Sequence, residues 1–183
     1  MATVLQRQMT AEDYWSSPYN EDATELVRGE VVETMRPGGL HGVIAAAVSA
    51  LLHVWARQTK AGHVGVEAGF ILARAPDTVR GPDVAFVRRD RIPPGGVPEG
   101  FWPLAPDLAV EIVSPGDTTN EILAKVGDYL AAGTPLIWVI YPRRQEVVVH
   151  MPDQVSRTYG AGDDLSFPEV LPGFSCLVAD LFS

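Results

Sequence analysis

The spacing of apolar residues changes several times along this chain of 183 residues, and each change marks an element. Near the start, Thr10-Ala-Glu-Asp sets a capping hydroxyl three residues ahead of an acid, which predicts a helix of a turn or two. Leu26 to Glu33, broken at Arg28-Gly29, reads as a strand or hairpin. Val43 to Gln58 follows as a long helix whose apolar residues recur almost all round its surface, so it should be packed on most sides, with Gly62 ending it. Val64 to Ala73 and Val79 to Val87 are β-rich runs joined by Arg74-Ala-Pro-Asp-Thr and should pair as a hairpin. Ile92 to Pro106 holds five prolines and three glycines, the composition of an irregular surface loop.

Beyond that loop the order is strand, helix, strand, strand. Leu108 to Val113 is a short apolar strand, Thr118 to Ala132 a helix closed by Gly133, Leu136 to Tyr141 a second apolar strand, and Glu146 to His150 its neighbour across Pro142-Arg-Arg-Gln. An α/β crossover with an added hairpin predicts a mixed central β-sheet flanked by helices, an α+β-like variant of the α/β class. The tail contributes a Gly160-Ala-Gly-Asp-Asp turn and a short final segment, Val178 to Phe182. With no internal repeat, residues 1–183 read as a single domain with further β elements toward both ends.

Composition narrows the picture. With 46% hydrophobic and 20% charged residues the chain can bury a core, and its lone cysteine excludes a disulfide scaffold or a cysteine-built zinc site. Cys176 reads as a small core filler. Met1 to Thr10 carries Gln6, Arg7 and Gln8 where an export signal needs an apolar run, and the apolar heart from Val43 to Leu52 suits a buried helix better than a membrane span. The expectation is a cytoplasmic protein that does not enter a membrane. The net charge of −9 is unlike that of most nucleic-acid binders. Positive charge gathers only in the middle of the chain, so a polyanion would be met by Arg57, Arg74, Arg80, Arg88, Arg89 and Arg91, unless these are simply scattered, solvated arginines.

Two acids lie inside runs that otherwise read as buried strand. Alternation puts Asp83 on one face with Ala85 and Val87, and Glu111 on one face with Ala109 and Val113. An unpaired carboxylate in such surroundings costs several kcal/mol, roughly, so each acid needs a cation, strong donors or a proton. If the two strands are adjacent and in register, one Mg²⁺ could serve both while keeping waters and taking further ligands from a phosphate. The alternatives are a turn acid after Gly81-Pro82 for Asp83 and a salt bridge to an arginine for Glu111. Lys125 lies at the boundary of its helix's buried stripe, where it could reach the sheet, although Glu121 and Asp128 offer it an ordinary surface ion pair. His41 at a helix start and Glu30 after the first hairpin glycine are further candidates with equally plain structural roles. His53, His63 and His150 have no metal-motif spacing. The phosphate-loop, dinucleotide, serine-hydrolase and zinc-protease signatures are missing.

Taken in order, Gly81-Pro82-Asp83, Glu111-Ile-Val-Ser-Pro115, then Lys125, Tyr129 and Gly133 before Leu136-Ile-Trp-Val-Ile-Tyr-Pro resemble the Uma-two family of bacterial endonucleases, within the PD-(D/E)XK restriction-endonuclease-like superfamily. Met9-Thr-Ala-Glu-Asp-Tyr, Glu25-Leu-Val-Arg-Gly-Glu30, His41 and Leu171-Pro-Gly-Phe extend the resemblance over nearly the whole chain. It implies a restriction-endonuclease-like core and DNA hydrolysis with Mg²⁺ or Mn²⁺. Asp83, Glu111 and the backbone near Val113 would be metal ligands, and Glu30 and His41 would stand beside them. The superfamily's usual lysine position is Val113 here, and the resemblance implies that Lys125 takes over that role. A homodimer is a further implication; the apolar run around Trp138 and Val147 to Val149 could pair across a two-fold or be an ordinary internal strand. Two other functions fit the same residues: a catalytically inactive binding or assembly module, and a small-molecule hydrolase.

Overall fold

In the computed structural model, which describes residues 8–153 and 155–183, the chain begins with α1 (Ala11–Trp15), β1 (Thr24–Val27), β2 (Glu30–Glu33) and α2 (Gly39–Thr59). Four strands follow: β3 (Gly62–Val66), β4 (Phe70–Ala73), β5 (Thr78–Arg80) and β6 (Val84–Arg88). The crossover is β7 (Leu108–Ile112), α3 (Thr119–Ala131) and β8 (Leu136–Tyr141), and the chain ends through β9 (Glu146–Met151), β10 (Val155–Tyr159), β11 (Asp164–Leu165) and β12 (Cys176–Leu177). Gln6 and Arg7, part of the reading against an export signal, lie outside the described residues.

The expected mixed sheet forms with six strands in the order β10-β9-β8-β7-β6-β3. Only β7 and β8 run parallel. Every residue of β7, and all of β8 but Tyr141, is buried, which is why these two apolar runs take the centre. A stripe of α2, made by Ile44, Val48, Leu52, Trp55 and Ala56, packs on Phe86, Val110 and Trp138, and the C-terminal residues Leu171, Phe174, Val178 and Leu181 complete that layer. On the opposite face Ile122, Val126 and Tyr129 of α3 cover Ala109, Ile137 and Val139. Trp138, Val147 and Val149 are fully buried within the sheet, so they form an internal seam and not a docking edge.

Several expectations need correction. The two β-rich runs do pair, but the hairpin is shared between sheets: β3 pairs with β6 in the large sheet, while β4 pairs with β5 in a four-stranded sheet ordered β2-β1-β5-β4. Gly81-Pro82 makes the break on one side, since proline has no N–H for the ladder, and Glu67 at φ 52° turns the other. The long helix ends on Lys60 in the left-handed conformation, and Gly62 instead opens β3, where a Cβ would fall on the Val87 carbonyl. Nor is α2 packed on most sides: Leu40, Val43 and Val54 are exposed. Its length and composition are those of a helix able to cross a membrane, yet one stripe is committed to the sheet. Strand β10 leaves no mark in the sequence pattern, since its Val-Ser-Arg-Thr-Tyr run is largely exposed and shows no apolar alternation. The proline-rich loop is irregular as expected, pinned by Trp102 stacked on Phe70.

Helix α3 carries the site's lysine and has well-defined ends. Thr118 and Glu121 form a reciprocal capping box at its start. At its end Gly133 lies at φ 90°, with Gly133 N–H donating to the Leu130 carbonyl and Thr134 N–H to that of Tyr129, the two bonds of a Schellman cap. A Cβ at Gly133 would meet no neighbour, so Gly133→Ala should act through backbone strain alone. We expect it to lower stability by about 1–2 kcal/mol, read from denaturant midpoints, with an unchanged fold by circular dichroism.

Candidate functional site

The end of the β6–β7 ladder creates the site. The register pairs Val84 with Val110, so one step further it carries Asp83 toward Glu111. Asp83 precedes β6, and its Oδ2 accepts the Ile112 N–H at 2.6 Å, a side chain continuing the pairing that the backbone has left. The same oxygen lies 3.1 Å from His41 Nε2 in the first turn of α2. His41 Nδ1 is buried without a partner among the described residues.

Glu111 is 3% exposed, and both of its oxygens are held from α3. Lys125 Nζ donates to Oε2 at 2.9 Å and Tyr129 Oη to Oε1 at 2.8 Å. The two donors sit one helical turn apart, which lets both reach the same strand residue. Lys125 also lies 3.6 Å from Oε1 of Glu25 on β1. Glu25 in turn accepts from Arg80 Nη1 at 2.7 Å and from Gly81 N–H, while Arg80 gives two further bonds to Asp128 Oδ2 at 3.0 and 2.6 Å. A chain of alternating charge thus runs Asp128, Arg80, Glu25, Lys125, Glu111. Glu121 is occupied by Thr118, so neither acid flanking Lys125 on its helix is its partner.

The structure therefore brings Asp83, Glu111, Lys125 and His41 together along one open cleft. It does not bring Glu30, which is exposed on β2 and lines a separate depression; Glu25 is the acid from the early hairpin that reaches the cluster. The signal for Glu25 was the one that exposed Glu111, an acid inside a short apolar strand, here next to the fully buried Leu26. Val113 is not among the residues that line the cleft. Its N–H donates to the Ile140 carbonyl and its side chain packs on the α3 cluster, leaving Ile112 and Ser114 to form the cleft wall. Four of the six central arginines are engaged internally: Arg74 with Glu12 and Asp77, Arg80 as above, Arg88 with Asp90, and Arg91 with Asp107. They form no ready-made polyanion surface.

Charge in the cleft is unbalanced. Within the linked cluster Asp83, Glu111, Glu25 and Asp128 are met by two permanent cations, Lys125 and Arg80, and along the rest of the cleft Glu33, Glu67, Asp117 and Glu121 outnumber Arg36. Burial, reinforced by the nearby charges of Asp83 and Glu25 and opposed by Lys125, pushes the Glu111 carboxyl up to about 7. Burial works against the Lys125 ammonium, but Glu111 and Glu25 outweigh it and hold the lysine protonated beyond the usual range. The bond to Asp83 raises His41 despite its burial. Among the described residues no cluster of three His, Cys, Asp or Glu side chains is placed to hold a metal. Of the acids that line the cleft, Asp83 and Glu111 are the two that the β6–β7 register brings together, oxygen donors suited to a hard divalent ion that retains water.

Comparison with known proteins places this geometry in context. A family model described as "putative restriction endonuclease" matches residues 11–179. The crystal structure of a putative nuclease from Anabaena variabilis superposes with a TM-score of 0.84 at 22% identity, covering 95% of this chain and 97% of the other, which establishes the shared fold. No curated protein matches the chain.

The raised Glu111 and His41 make stability depend on pH with a definite sign. Glu111 titrates near 4.5 when unfolded and about 7 when folded, so the folded chain holds an extra proton between those values and loses stability as pH rises through them. His41 adds stability that is complete below its ordinary 6.5 and is lost as pH rises through its higher folded value. With EDTA present, unfolding free energy should fall by on the order of 2 kcal/mol from pH 5 to pH 8. In Glu111→Gln the slope should be markedly shallower, whatever the absolute stability, as denaturant titrations across pH would show.

Proposed function

This chain belongs to the family described as "putative restriction endonuclease", and we propose that it hydrolyses phosphodiester bonds of DNA at the Asp83, Glu111 and Lys125 cluster with a divalent metal, Mg²⁺ or Mn²⁺. The observation that carries the reading is the Lys125–Glu111 contact of 2.9 Å beside a second carboxylate delivered by the neighbouring strand. Lys125 comes from a helix and not from the strand position two residues after Glu111, yet it places its ammonium at the acid.

The residues present fit such an ion. Asp83 and Glu111 supply hard oxygen donors, and the surplus of negative charge around them favours a cation. When bound, the metal would polarise a phosphate and make a coordinated water more acidic. Lys125, kept charged by Glu111 and Glu25, can orient a nucleophilic water or stabilise charge developing on the phosphate. Tyr129 fixes the Glu111 carboxylate, and His41 together with the Ile112 N–H fixes that of Asp83. Arg80 and Asp128 anchor Glu25, which keeps Lys125 from pairing with Glu111 alone. Arg36 stands at the cleft wall outside this network and offers a contact to a flanking phosphate.

One observation favours a second reading, a catalytically inactive binding or assembly module: both Glu111 oxygens already have protein donors. Cleavage of single-stranded, double-stranded and branched DNA with Mg²⁺ or Mn²⁺ separates the two. Metal-dependent cutting should vanish with EDTA and in Glu111→Ala, and fall about 10²-fold or more in Lys125→Ala. Arg36→Ala should raise KM with little change in kcat. No cutting of any DNA with either metal, or equal traces in wild type and Glu111→Ala, would leave the binding module standing.

A further inference from the structure

Helix α2 has a second apolar stripe, of which Leu51 packs partly on the sheet-side core while the described residues leave the rest largely open. At about 100° per residue, Leu40, Val43, Ala47, Leu51 and Val54 fall within an arc of about 80°, next to the buried stripe but outside it. Leu40, Val43 and Val54 are 61%, 58% and 54% exposed, and Ala47 and Leu51 are half-buried. From Pro37 to Ala56 the helix and its lead-in carry no Asp, Glu, Lys or Arg.

We propose that this stripe is the interface of a homodimer in which two copies of α2 pack antiparallel about a two-fold axis at Ala47. The spacing is self-complementary. Apolar residues lie seven and four positions before Ala47 and four and seven after it, so Leu40 of one copy faces Val54 of the other, Val43 faces Leu51, and the two Ala47 residues meet. An isologous contact requires this symmetry of a single surface. The small central side chain lets the helices approach closely, and the larger residues on either side fill the grooves.

Charge argues for the same occupant. Two copies of a chain at −9 repel one another across most of their surfaces, and this stripe is a neutral surface along which they can meet. A helix lying on a lipid surface instead carries Lys and Arg along its polar flank, and α2 has none between Pro37 and Ala56. A single helix pair about 30 Å long falls short of the roughly 800 Å² per partner of standard complexes, so the association belongs to the weak, concentration-dependent class. In this arrangement position 41 faces position 53, which sets the two His41 residues about 18 Å apart along the helix axis. The inference does not depend on the nuclease reading.

Sedimentation velocity from low to high micromolar protein tests it, with vesicle flotation on neutral and anionic lipids alongside. Wild type should shift from monomer to dimer over that range. Leu40→Glu and Val43→Glu, both at exposed positions and checked for folding by circular dichroism, should stay monomeric, while Val97→Glu, exposed in the proline-rich loop, should dimerise as wild type does. A monomer at every concentration, a dimer that survives both stripe variants, or vesicle binding by a monomeric protein would overturn the proposal.

Discussion

A carboxylate in the middle of the central strand is the constraint around which the rest is arranged. Glu111 stands where β7 is buried on both faces, and an unsatisfied charge there would outweigh much of what the surrounding core contributes. The capped helix α3 answers it with an ammonium and a phenol from successive turns. The lysine, itself short of water, is held in turn by Glu25, and Glu25 by Arg80. Each group in the series is tolerable only because the next is in place, so the small sheet bearing Glu25 and Arg80 is tied to the large sheet bearing Glu111 by electrostatics as well as by packing.

Much of this was legible in the sequence, because burial leaves periodic traces. The apolar crossover, the capping residues and the pairing of the β-rich runs follow from side-chain pattern and turn chemistry, and Asp83 and Glu111 stood out as acids that interrupt that pattern. What escaped depended on which sheet a strand would join. Nothing local says that one hairpin is divided between two sheets, and without that division Glu25 has no reason to be near Lys125. The helical wheel placed Lys125 at a boundary, where Glu121, Asp128 and the sheet were all within reach. The local capping box with Thr118 and the tertiary ion pair with Arg80 remove the two helix acids and leave the sheet. The α2 helix misled in the opposite way, since its apolar residues go all round while the fold covers one stripe.

The distribution of basic side chains bears on how a polyanion could approach. Most central arginines are matched to carboxylates, and the overall charge is negative, so long-range attraction would contribute little to encounter. Recognition of a phosphate backbone would have to come at short range, from Lys125, Arg36 and a metal ion. Affinity of that kind comes from the positioned site and not from a charged face.

The Ile112 amide has an unusual acceptor. Its proton points at Asp83 Oδ2, where a regular ladder would offer a backbone carbonyl. The amide is therefore wired to the charge of a site residue: protonation of Asp83, arrival of a cation or replacement of the side chain would each change the electron density its proton feels. In an amide NMR spectrum that single resonance is a native gauge of the site's occupancy, present without any label and readable in the absence of turnover.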